Sequence, residues 1–577
     1  MYNNVIADIF EEISIMISLE NTSTSKFESR AYARAAETIR SLQTPIEDIY
    51  NKGGKEALTK LSGIGKGMAD KIEEYIKTGH ISKYDELKKK YPINFLELMK
   101  IEGIGAKTAY NLYKALGVKN LDDLKKALNE NKLRAIEGFG DKSIQQLKEA
   151  IEMYESSKGR VLLGYIYPIA NNILDELKRN KNVIDAYIAG STRRMKETVG
   201  DLDILVTSDN PVAVMDYFVS LPEVDRVIVK GDTKTTVWLK IGLSCDLRVI
   251  PKESIGAALQ YFTGSKQHNV KLREIAIKNG YKLNEYGLYD SKEVNIAEGK
   301  DEAFIYNALG LDYIEPELRE DRGEIELAMQ HRLPKLIKLE DIKGDLHMHT
   351  KETDGTNSLE EMVNKALSLK RSYIAITNHT KSLKVAHGMD EKQFIEFFKE
   401  IDRLNERLNG KIKILKGAEV DILQDGSLDL DRNVLEQMDC VVASVHSHFN
   451  MSKEEMTARV IKALESNLVN ILGHPTGRMI NQREPYEIDL FKVAEAAERY
   501  NVALEINAFP DRLDLSDSSI LMLKDYNIKF SIDTDSHNIN HEDYMLYGVA
   551  TARRGFLTKD RIINTLSLEE LERFLSK

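Results

Sequence analysis

The chain has 577 residues, of which 42% are hydrophobic and 30% charged, so it is too long for one hydrophobic core and has the ordinary composition of a globular protein with several domains. It shows no apolar run long enough to cross a bilayer and no signal peptide, which excludes a membrane-spanning protein. It has only two cysteines, Cys245 and Cys440, which lie far apart in sequence. A disulfide-rich secreted protein is therefore excluded, and a cytoplasmic location is indicated. The net charge of −11 does not exclude a nucleic-acid partner, because a local basic stripe is sufficient to contact phosphates.

Helical periodicity dominates residues 1–155, and one five-residue pattern occurs three times within it. LSGIG at 61–65, IEGIG at 101–105 and IEGFG at 136–140 each place two glycines near the start of a helix. The glycines permit a tight turn, and the helix N-terminus offers free N–H groups to an anion. One copy would be more typical of a plain turn, whereas three copies predict phosphate binding. The pattern resembles helix-hairpin-helix motifs, and this resemblance implies contacts to the DNA backbone without sequence readout. The glycines concerned are Gly63, Gly65, Gly103, Gly105, Gly138 and Gly140.

The segment 190–203, which reads GSTRRMKETVGDLD, connects two apolar runs that are typical of short buried strands. Asp201 and Asp203 are two residues apart, so they project from the same face of the second strand. Asp246 lies in another apolar strand, where a charge is costly unless it is paired or binds a metal. An isolated Asp-x-Asp pair is more often a solvated strand face. Together with the Gly-Ser turn and the twin arginine, however, the three carboxylates predict phosphoryl transfer at two metal ions.

Nine of the twelve histidines lie between His347 and His541, and most of them end short apolar runs. In His347-x-His349 the two imidazoles share one face of a strand, which is good geometry for binding a metal. Helical segments at 358–370, 391–409, 453–467 and 488–500 separate these runs. Alternating strands and helices predict a parallel barrel with metal ligands at the C-terminal ends of its strands.

The motifs GSTRR, GDLD, CDLRVIP and YFTGS together resemble the nucleotidyltransferase core of family X DNA polymerases, over most of residues 1–318. The resemblance implies that Asp201, Asp203 and Asp246 bind two Mg²⁺ or Mn²⁺ ions, and that Asp246 accepts the proton of the primer 3′-hydroxyl. It implies that Arg273 contacts DNA. Two departures are Lys266, where animal relatives carry an acid, and Met195, where they carry Gly. The residues implied to bind the incoming nucleotide are Ser191, Arg194, Gly200, Arg160, Tyr261, Phe262, Gly264 and Asn269.

The first glycine pattern resembles the small N-terminal domain of the same family, in which a lysine forms a Schiff base with a deoxyribose phosphate. Lys71 falls at the position of that lysine, and Tyr32 aligns with a residue of the same pocket. Phe27 stands where the animal enzymes carry a His. A lysine on a helix surface is usually a solvated charge, so binding of a 5′-phosphate in a DNA gap stays open as the alternative to lyase activity.

Residues 341–577 resemble the PHP (polymerase and histidinol phosphatase) domain, a distorted seven-stranded barrel with a site for up to three ions of Mn²⁺, Zn²⁺ or Fe. The resemblance implies a Mn²⁺-dependent 3′–5′ exonuclease and leaves 3′-phosphatase or abasic-site endonuclease activity open. Asn378 departs from the family, which usually has Asp there. The implied metal ligands are His347, His349, Asp354, His379, Glu419, His446, His474, Asp535 and His537.

The expected architecture is a multidomain protein with α-helical helix-hairpin-helix N-terminal domains, an α+β nucleotidyltransferase palm with a small thumb, and a C-terminal α/β PHP barrel. The expected function is the filling of short gaps in base excision repair, by a monomer that binds gapped or nicked DNA and dNTPs. Two alternatives are a non-enzymatic DNA-end-binding scaffold and a protein whose main activity is a PHP phosphatase. The expected domains are 1–85 (lyase-like, helix-hairpin-helix), 86–157 (second helix-hairpin-helix), 158–255 (palm), 256–318 (thumb), 319–340 (linker) and 341–577 (PHP).

Overall fold

The structure is a computed structural model that describes all residues except 1, 21, 43–45, 62, 100, 102, 137–138, 141–142, 146, 149, 152–158 and 577. The expected DNA-contacting residue Gly138 therefore lies outside the described residues. In the part of the chain that the structure describes, no helix combines the length and the apolar character that a membrane span requires.

The N-terminal third is helical, as its periodicity predicts. Its helices pack around one continuous core that runs from Ile6 to Ile151. The glycine patterns precede the fourth and seventh helices, which begin at Lys66 and Ala106. The helices are α1 (Tyr2–Ser18), α2 (Ser23–Ser41), α3 (Ile46–Leu58), α4 (Lys66–Thr78), α5 (Ser82–Lys90), α6 (Phe95–Leu98), α7 (Ala106–Leu116) and α8 (Leu121–Asn129).

A mixed five-stranded sheet forms the palm, with the strand order β2-β4-β7-β6-β5. Its central strands β4 and β7 are parallel, and the other pairs are antiparallel. The palm elements are β1 (Val161–Leu162), α9 (Leu163–Arg179), β2 (Asp185–Ile188), α10 (Gly190–Arg193), β3 (Thr198–Val199), β4 (Asp201–Thr207), α11 (Pro211–Val219), β5 (Val224–Lys230), β6 (Lys234–Leu239) and β7 (Leu243–Val249).

The thumb follows the palm and continues into the segment that the sequence suggested was a linker. Arg319 in that segment is fully buried and donates a hydrogen bond to Glu302 at 2.5 Å. Ile325 and Leu336 belong to the thumb core, so residues 319–340 are packed against the thumb. The elements are α12 (Ile255–Thr263), α13 (Lys266–Lys278), β8 (Lys282–Asn284), β9 (Gly287–Tyr289), α14 (Glu302–Ala308) and α15 (Glu324–Met329).

The C-terminal domain is a seven-stranded parallel sheet whose strands follow one another in chain order. A parallel bridge between Met348 and Ser536 brings the first and last strands together, so the barrel is nearly closed. The expected fold class is therefore confirmed. The elements are β10 (Gly344–Met348), α16 (Leu359–Ser368), β11 (Tyr373–Ile376), α17 (Glu391–Leu408), β12 (Lys413–Asp421), α18 (Arg432–Leu435), β13 (Cys440–Ser444), α19 (Lys453–Leu464), β14 (Ile471–Leu472), α20 (Leu490–Arg499), β15 (Ala503–Asn507), α21 (Asp517–Met522), β16 (Phe530–Asp533), α22 (Met545–Arg554) and α23 (Leu568–Leu575).

The palm and the barrel share a hydrophobic core. Leu513, Tyr547 and Ala550 of the barrel domain are buried in the same apolar cluster as the palm strands. The Tyr165 hydroxyl of the palm donates a hydrogen bond to Asp511 of the barrel at 2.9 Å. Burial of apolar surface between two domains fixes their relative position, so the two candidate sites belong to one packed body.

Candidate active sites

Two neighbouring strands bring the palm carboxylates together. Asp203 in β4 pairs in register with Asp246 in β7, while Asp201 pairs with Ser244. Asp201 is exposed, and the other two carboxylates are half-buried. Burial, together with the charges of Asp201 and Asp246, raises the pKa of Asp203 to about 6. Three carboxylates on one face of the sheet repel one another, which favours a bound cation between them.

Gly190 allows Asp203 to lie against the turn that follows β2. Its φ is +60°, and a Cβ atom added there would lie 2.3 Å from Oδ2 of Asp203. A side chain at this position would therefore displace the carboxylate as well as strain the backbone.

Asp246 is held away from the other two carboxylates. The Thr236 hydroxyl donates to its Oδ1 at 2.6 Å, and Nζ of Lys234 lies 2.9 Å from its Oδ2. Burial alone would raise the pKa of Asp246, but these two neighbours hold it below its ordinary value. Among the described residues, the groups of three or four ligand atoms within 4.8 Å of one another all lie in the barrel domain, so the palm triad is more widely spaced.

The turn after β2 carries the residues expected to hold a triphosphate. Oγ of Ser191 is buried without a hydrogen-bond partner, which is expected of a hydroxyl that forms a hydrogen bond with a ligand. Arg194 is buried and donates to Glu320 at 2.9 Å and to the Thr263 carbonyl at 2.8 Å. The phosphate-facing role expected for Arg194 thus requires that it leave or share these acceptors.

Arg160 and Gly200 lie beside this turn. The Arg160 guanidinium donates to the hydroxyl of Thr198 at 2.9 Å and to its carbonyl at 2.7 Å. A Cβ atom at Gly200 would lie 2.9 Å from Arg160, so the glycine lets the guanidinium lie close to the start of β4.

The thumb residues expected near the sugar form one compact turn. The rings of Tyr261 and Phe262 meet edge to face at 5.1 Å. Asn269 donates to the Tyr261 carbonyl at 2.6 Å and to the Gly264 carbonyl at 3.1 Å, so it holds this turn. Arg273 lies half-buried on the same helix, α13.

The glycine patterns of the N-terminal third have the geometry that the sequence predicts. Gly63 and Gly103 have φ values of +74° and +85°, in the left-handed region. Gly65 and Gly105 are the N-caps of α4 and α7, and neither helix has a side-chain cap. The first-turn N–H groups are therefore available to a phosphate. Of the third copy, the structure describes Ile136, Phe139 and Gly140, and the Phe139 amide donates to the Ile136 carbonyl at 3.1 Å.

Lys71 lies on α4, directly after the first glycine turn. Its Nζ is 5.8 Å from the centre of the Tyr32 ring, and Tyr32 is buried in the helical core. Phe27, at the position of a His in animal relatives, is 79% exposed, so it does not fill the core as a packing substitute.

All nine side chains expected to bind metal converge at one end of the barrel. Glu419 lies at the centre. Nδ1 of His379 is 2.8 Å from its Oε2, and Nε2 of His474 is 2.8 Å from its Oε1. Nε2 of His349 is 3.1 Å from Oδ1 of Asp535. Three overlapping groups have ligand spacing: His349, Asp354, His379 and His537; His347, His349 and Asp535; and His379, Glu419 and His446.

The site fits a cluster of divalent cations. Many of its ligand atoms are buried and lack a hydrogen-bond partner within the described chain, which is costly unless a cation occupies the space. His474 and Asp535 also have positive φ values of 26° and 52°, and such backbone strain concentrates at functional sites. The orphaned atoms belong to His347, His349, Asp354, His379, Glu419, His474 and Asp535.

Charges in the barrel site divide the imidazoles into two classes. Burial lowers the pKa of His349 to about 4 and that of His474 to about 3. Burial alone would also lower the pKa of His379 and His446, but the Glu419 carboxylate raises them to about 9 and about 10. Without a metal, protonated imidazoles therefore neutralise the carboxylates.

Two carboxylates that the sequence did not single out, and Arg512, which the sequence suggested as a phosphate contact, complete the site. The Glu505 carboxylate is 2.7 Å from Nδ1 of His347, and Asp421 is 2.9 Å from Nδ1 of His446. Such carboxylates orient metal-binding imidazoles. Arg512 lines the cavity of about 220 Å³ over the ligands. A signal for Glu505 was present, because a Glu inside the apolar run VALEIN is as costly as Asp246 in its strand.

Asn378 supports the loop that carries Asp354. Its Oδ1 accepts hydrogen bonds from the Thr350 amide at 2.8 Å and from the Thr353 hydroxyl at 3.2 Å. Its amide also donates to the Thr350 hydroxyl at 2.9 Å. This residue therefore acts beside the ligands and not as one of them.

Comparison with known families gives four matches along the chain. The models described as helix-hairpin-helix domain and SAM-like helix-hairpin-helix tandem match residues 1–81 and 95–153. The DNA polymerase beta thumb matches residues 258–320, and the PHP domain matches residues 345–509.

Three characterised relatives are similar over different parts of the chain. The chain is 37% identical over 579 aligned positions, covering both chains completely, to a Bacillus subtilis (strain 168) protein named DNA polymerase/3′-5′ exonuclease PolX. It is 25% identical to DNA polymerase lambda of Rattus norvegicus, over 54% of this chain and 56% of that one. It is 29% identical to a probable phosphatase of Thermoanaerobacter sp. (strain X514), over 38% of this chain and 89% of that one.

Proposed function

The chain belongs to the family X DNA polymerases that carry a C-terminal PHP domain, and we propose that it fills short gaps in DNA during base excision repair and trims 3′ ends in the barrel. The observation that carries the polymerase assignment is the register pairing of Asp203 with Asp246 beside the Gly190 turn. The proposed substrates are dNTPs and gapped or nicked DNA, bound by a monomer. Its two buried free cysteines fit a cytoplasmic location.

In the palm, Asp201, Asp203 and Asp246 would hold two Mg²⁺ or Mn²⁺ ions. Bound there, the ions supply positive charge to the transferring phosphate and acidify the primer 3′-hydroxyl. Asp246 accepts the hydroxyl proton, since Lys234 and Thr236 keep its carboxylate charged and oriented. Ser191 and Arg194 hold the triphosphate, with Arg160 and Gly200 shaping the same turn.

The thumb turn and the helical domains select and position the substrates. Tyr261 and Phe262 pack against the sugar of the incoming nucleotide, and Asn269 keeps the turn at Gly264 fixed. Arg273 contacts the template strand. The helix N-termini after Gly65 and Gly105 bind the phosphates of the DNA backbone on both sides of the gap, without reading sequence.

In the barrel, the nine ligands would hold up to three divalent ions, with Mn²⁺ proposed for the exonuclease. Bound there, the ions activate a water and neutralise the scissile phosphate. Arg512 lines the cavity over the ligands and binds the phosphate of the 3′-terminal nucleotide. Glu505 and Asp421 keep the His347 and His446 imidazoles in the orientation that the ions require.

A second candidate activity of the barrel is phosphomonoester hydrolysis. The similarity to the probable phosphatase covers 89% of that protein, which fits removal of a 3′-phosphate by the same ions. Abasic-site cleavage is a further activity of the same chemical class. We propose the domain limits 1–85, 86–157, 158–255, 256–318 and 341–577 for these activities, with residues 319–340 packed against the thumb.

One experiment tests both assignments on a duplex with a one-nucleotide gap, a 5′-phosphate and a labelled primer. Wild-type protein is incubated with Mn²⁺, with and without dNTPs, beside Asp246→Asn and His347→Ala variants. The matched controls are Asp232→Asn and His387→Asn, which change exposed residues of the same two domains. We expect lengthening to require dNTPs and Asp246, and shortening to require His347.

The alternatives give different patterns in the same assay. A primer that neither grows nor shrinks with any metal would contradict both activities and leave a DNA-end-binding scaffold. On a second labelled primer that ends in a 3′-phosphate, removal of that phosphate without shortening would make the barrel a phosphatase.

A further inference from the structure

Arg554 of the barrel domain reaches into the nucleotide turn of the palm. It lies at the C-terminal end of α22, and its side chain is only 4% exposed. Its Nη1 donates to the carbonyl oxygen of Arg194 at 2.7 Å. Its Nε donates to Asp517 of the barrel at 2.8 Å, so the guanidinium is anchored at both ends.

Glu320 links the two arginines. One oxygen of this carboxylate accepts from Nε of Arg194 at 2.9 Å and from Nη1 of Arg554 at 3.2 Å. Burial alone would raise the pKa of Glu320, but the charges of Arg194 and Arg554 hold it below its ordinary value. Because Arg554 shares this carboxylate, Glu320 does not neutralise Arg194 alone, and positive charge remains for a triphosphate.

The backbone beside this contact is strained. Met195, directly after Arg194, has a φ of +53°, in the left-handed region where a residue other than glycine is strained. Its side chain is 8% exposed and packs in the core that the palm and barrel share. A strained residue persists only when its surroundings hold it, and the hydrogen bond from Arg554 to the preceding carbonyl does so from the neighbouring domain.

We propose that the PHP domain completes the nucleotide site of the polymerase, with Arg554 as a positioning residue that holds the Arg194 turn and shares the Glu320 charge. Arg554 touches no substrate and acts only through Arg194 and Glu320. This inference rests on the proposed polymerase function. It predicts that nucleotide binding in the palm depends on one side chain of the nuclease domain.

The test uses the full-length chain with Arg554→Ala and Arg554→Lys, and measures the KM for dNTP, the kcat of gap filling and the rate of 3′ shortening. Arg561→Ala is the matched control, because among the described residues this barrel arginine donates hydrogen bonds to carbonyls of the barrel itself, those of Ile528, Tyr526 and Lys524. For Arg554→Ala we expect the KM for dNTP to rise about 10-fold, the effect of losing one charge-assisted contact, with a smaller change in kcat and unchanged shortening. Arg554→Lys keeps the charge but not the fork of donors, so it should restore the KM only in part.

An unchanged KM in Arg554→Ala, with shortening intact, would overturn the proposal. If Arg554→Ala loses both activities, Arg554→Lys decides: the proposal requires a raised KM for dNTP with normal shortening, and a normal KM overturns it. A wild-type protein that neither extends nor shortens the primer would instead contradict the proposed function itself.

Discussion

Asp203 and Asp246 face each other across two parallel strands, yet their surroundings push their protonation in opposite directions. Burial raises the pKa of Asp203 to about 6, whereas Thr236 and Lys234 overcome burial at Asp246 and hold its pKa below the ordinary value. The difference assigns separate tasks to the pair. In the proposed mechanism, Asp246 would stay charged for proton transfer and Asp203 would gain most from a bound cation.

Replacing Gly190 by Ala tests how closely Asp203 depends on the turn. The new Cβ would lie 2.3 Å from the Asp203 carboxylate, so the carboxylate must move by about an ångström. We expect gap filling to fall about 100-fold, with 3′ shortening unchanged. The measurement is the single-turnover extension rate at saturating metal.

Gly242→Ala is the matched control for this change. Gly242 also lies in the palm with a positive φ of +85°, but a Cβ there would meet nothing within 4 Å. It imposes the same kind of backbone strain without touching a carboxylate. Equal losses of extension in the two variants would show that strain, and not the Asp203 contact, limits the site.

The repeated fold elements were predictable because their signal is local. The apolar runs before His379 and Glu419 gave β11 and β12, and the helix after Gly105 begins and ends where expected. Some predicted strands are too long. The run from Cys440 to His448 predicts a strand of nine residues, but β13 ends at Ser444.

The apolar run VALEIN marks Glu505 as unusual, but the partners of the supporting residues were not predictable, because they lie far away in sequence. Glu505 is 158 positions from His347, and Arg554 is 360 positions from Arg194. No spacing or periodicity of a single sequence encodes such a pair. The exposed strand β5 was missed for a different reason, since most of its residues face solvent and show no alternation in burial.

Glu505→Gln tests whether this buried carboxylate orients His347. The amide keeps the volume but loses the charge that fixes the imidazole, and loss of such a partner typically costs 10–100-fold in metal affinity or activity. We expect 3′ shortening to fall by about that factor, with part of the loss recovered at high Mn²⁺ and with gap filling unchanged.

Glu542→Gln is the control for Glu505→Gln. Glu542 is also buried in the barrel, and burial raises its pKa to about 9, so it is already neutral at pH 7. The amide should therefore change little. Equal loss of 3′ shortening in both variants would mean that replacing any buried carboxyl group damages the barrel. That result would contradict the positioning role of Glu505.

Metal loading of the barrel should release protons. The pKa values of His379 and His537 are about 9, because Glu419 and Asp354 outweigh the opposing effect of burial. Both imidazoles are thus protonated at pH 7.5 without metal, and they must lose these protons to bind it. Metal affinity should therefore fall as the pH is lowered from 9 towards 7.

Calorimetry of Mn²⁺ binding in two buffers of different ionisation enthalpy measures this release. The Asp203→Asn variant is used, so that the palm contributes less to the signal. We expect the apparent enthalpy to depend on the buffer, with more than one proton released per chain. An enthalpy independent of the buffer would show that the ligands are already neutral before metal binds.

The last prediction concerns Lys71, whose ammonium lies 5.8 Å from the Tyr32 ring at the turn after the first glycine pattern. A Schiff base with a deoxyribose phosphate would be trapped as a covalent adduct by borohydride. We expect the wild-type protein to give this adduct with an incised abasic site and Lys71→Ala to lose it. Lys66→Ala, which removes an exposed lysine from the same helix, should keep it. An adduct that persists in Lys71→Ala would exclude this nucleophile. If the wild-type protein gives no adduct, DNA binding decides between the two roles. Weaker binding of Lys71→Ala to gapped DNA only when the 5′-phosphate is present would then assign Lys71 to binding that phosphate.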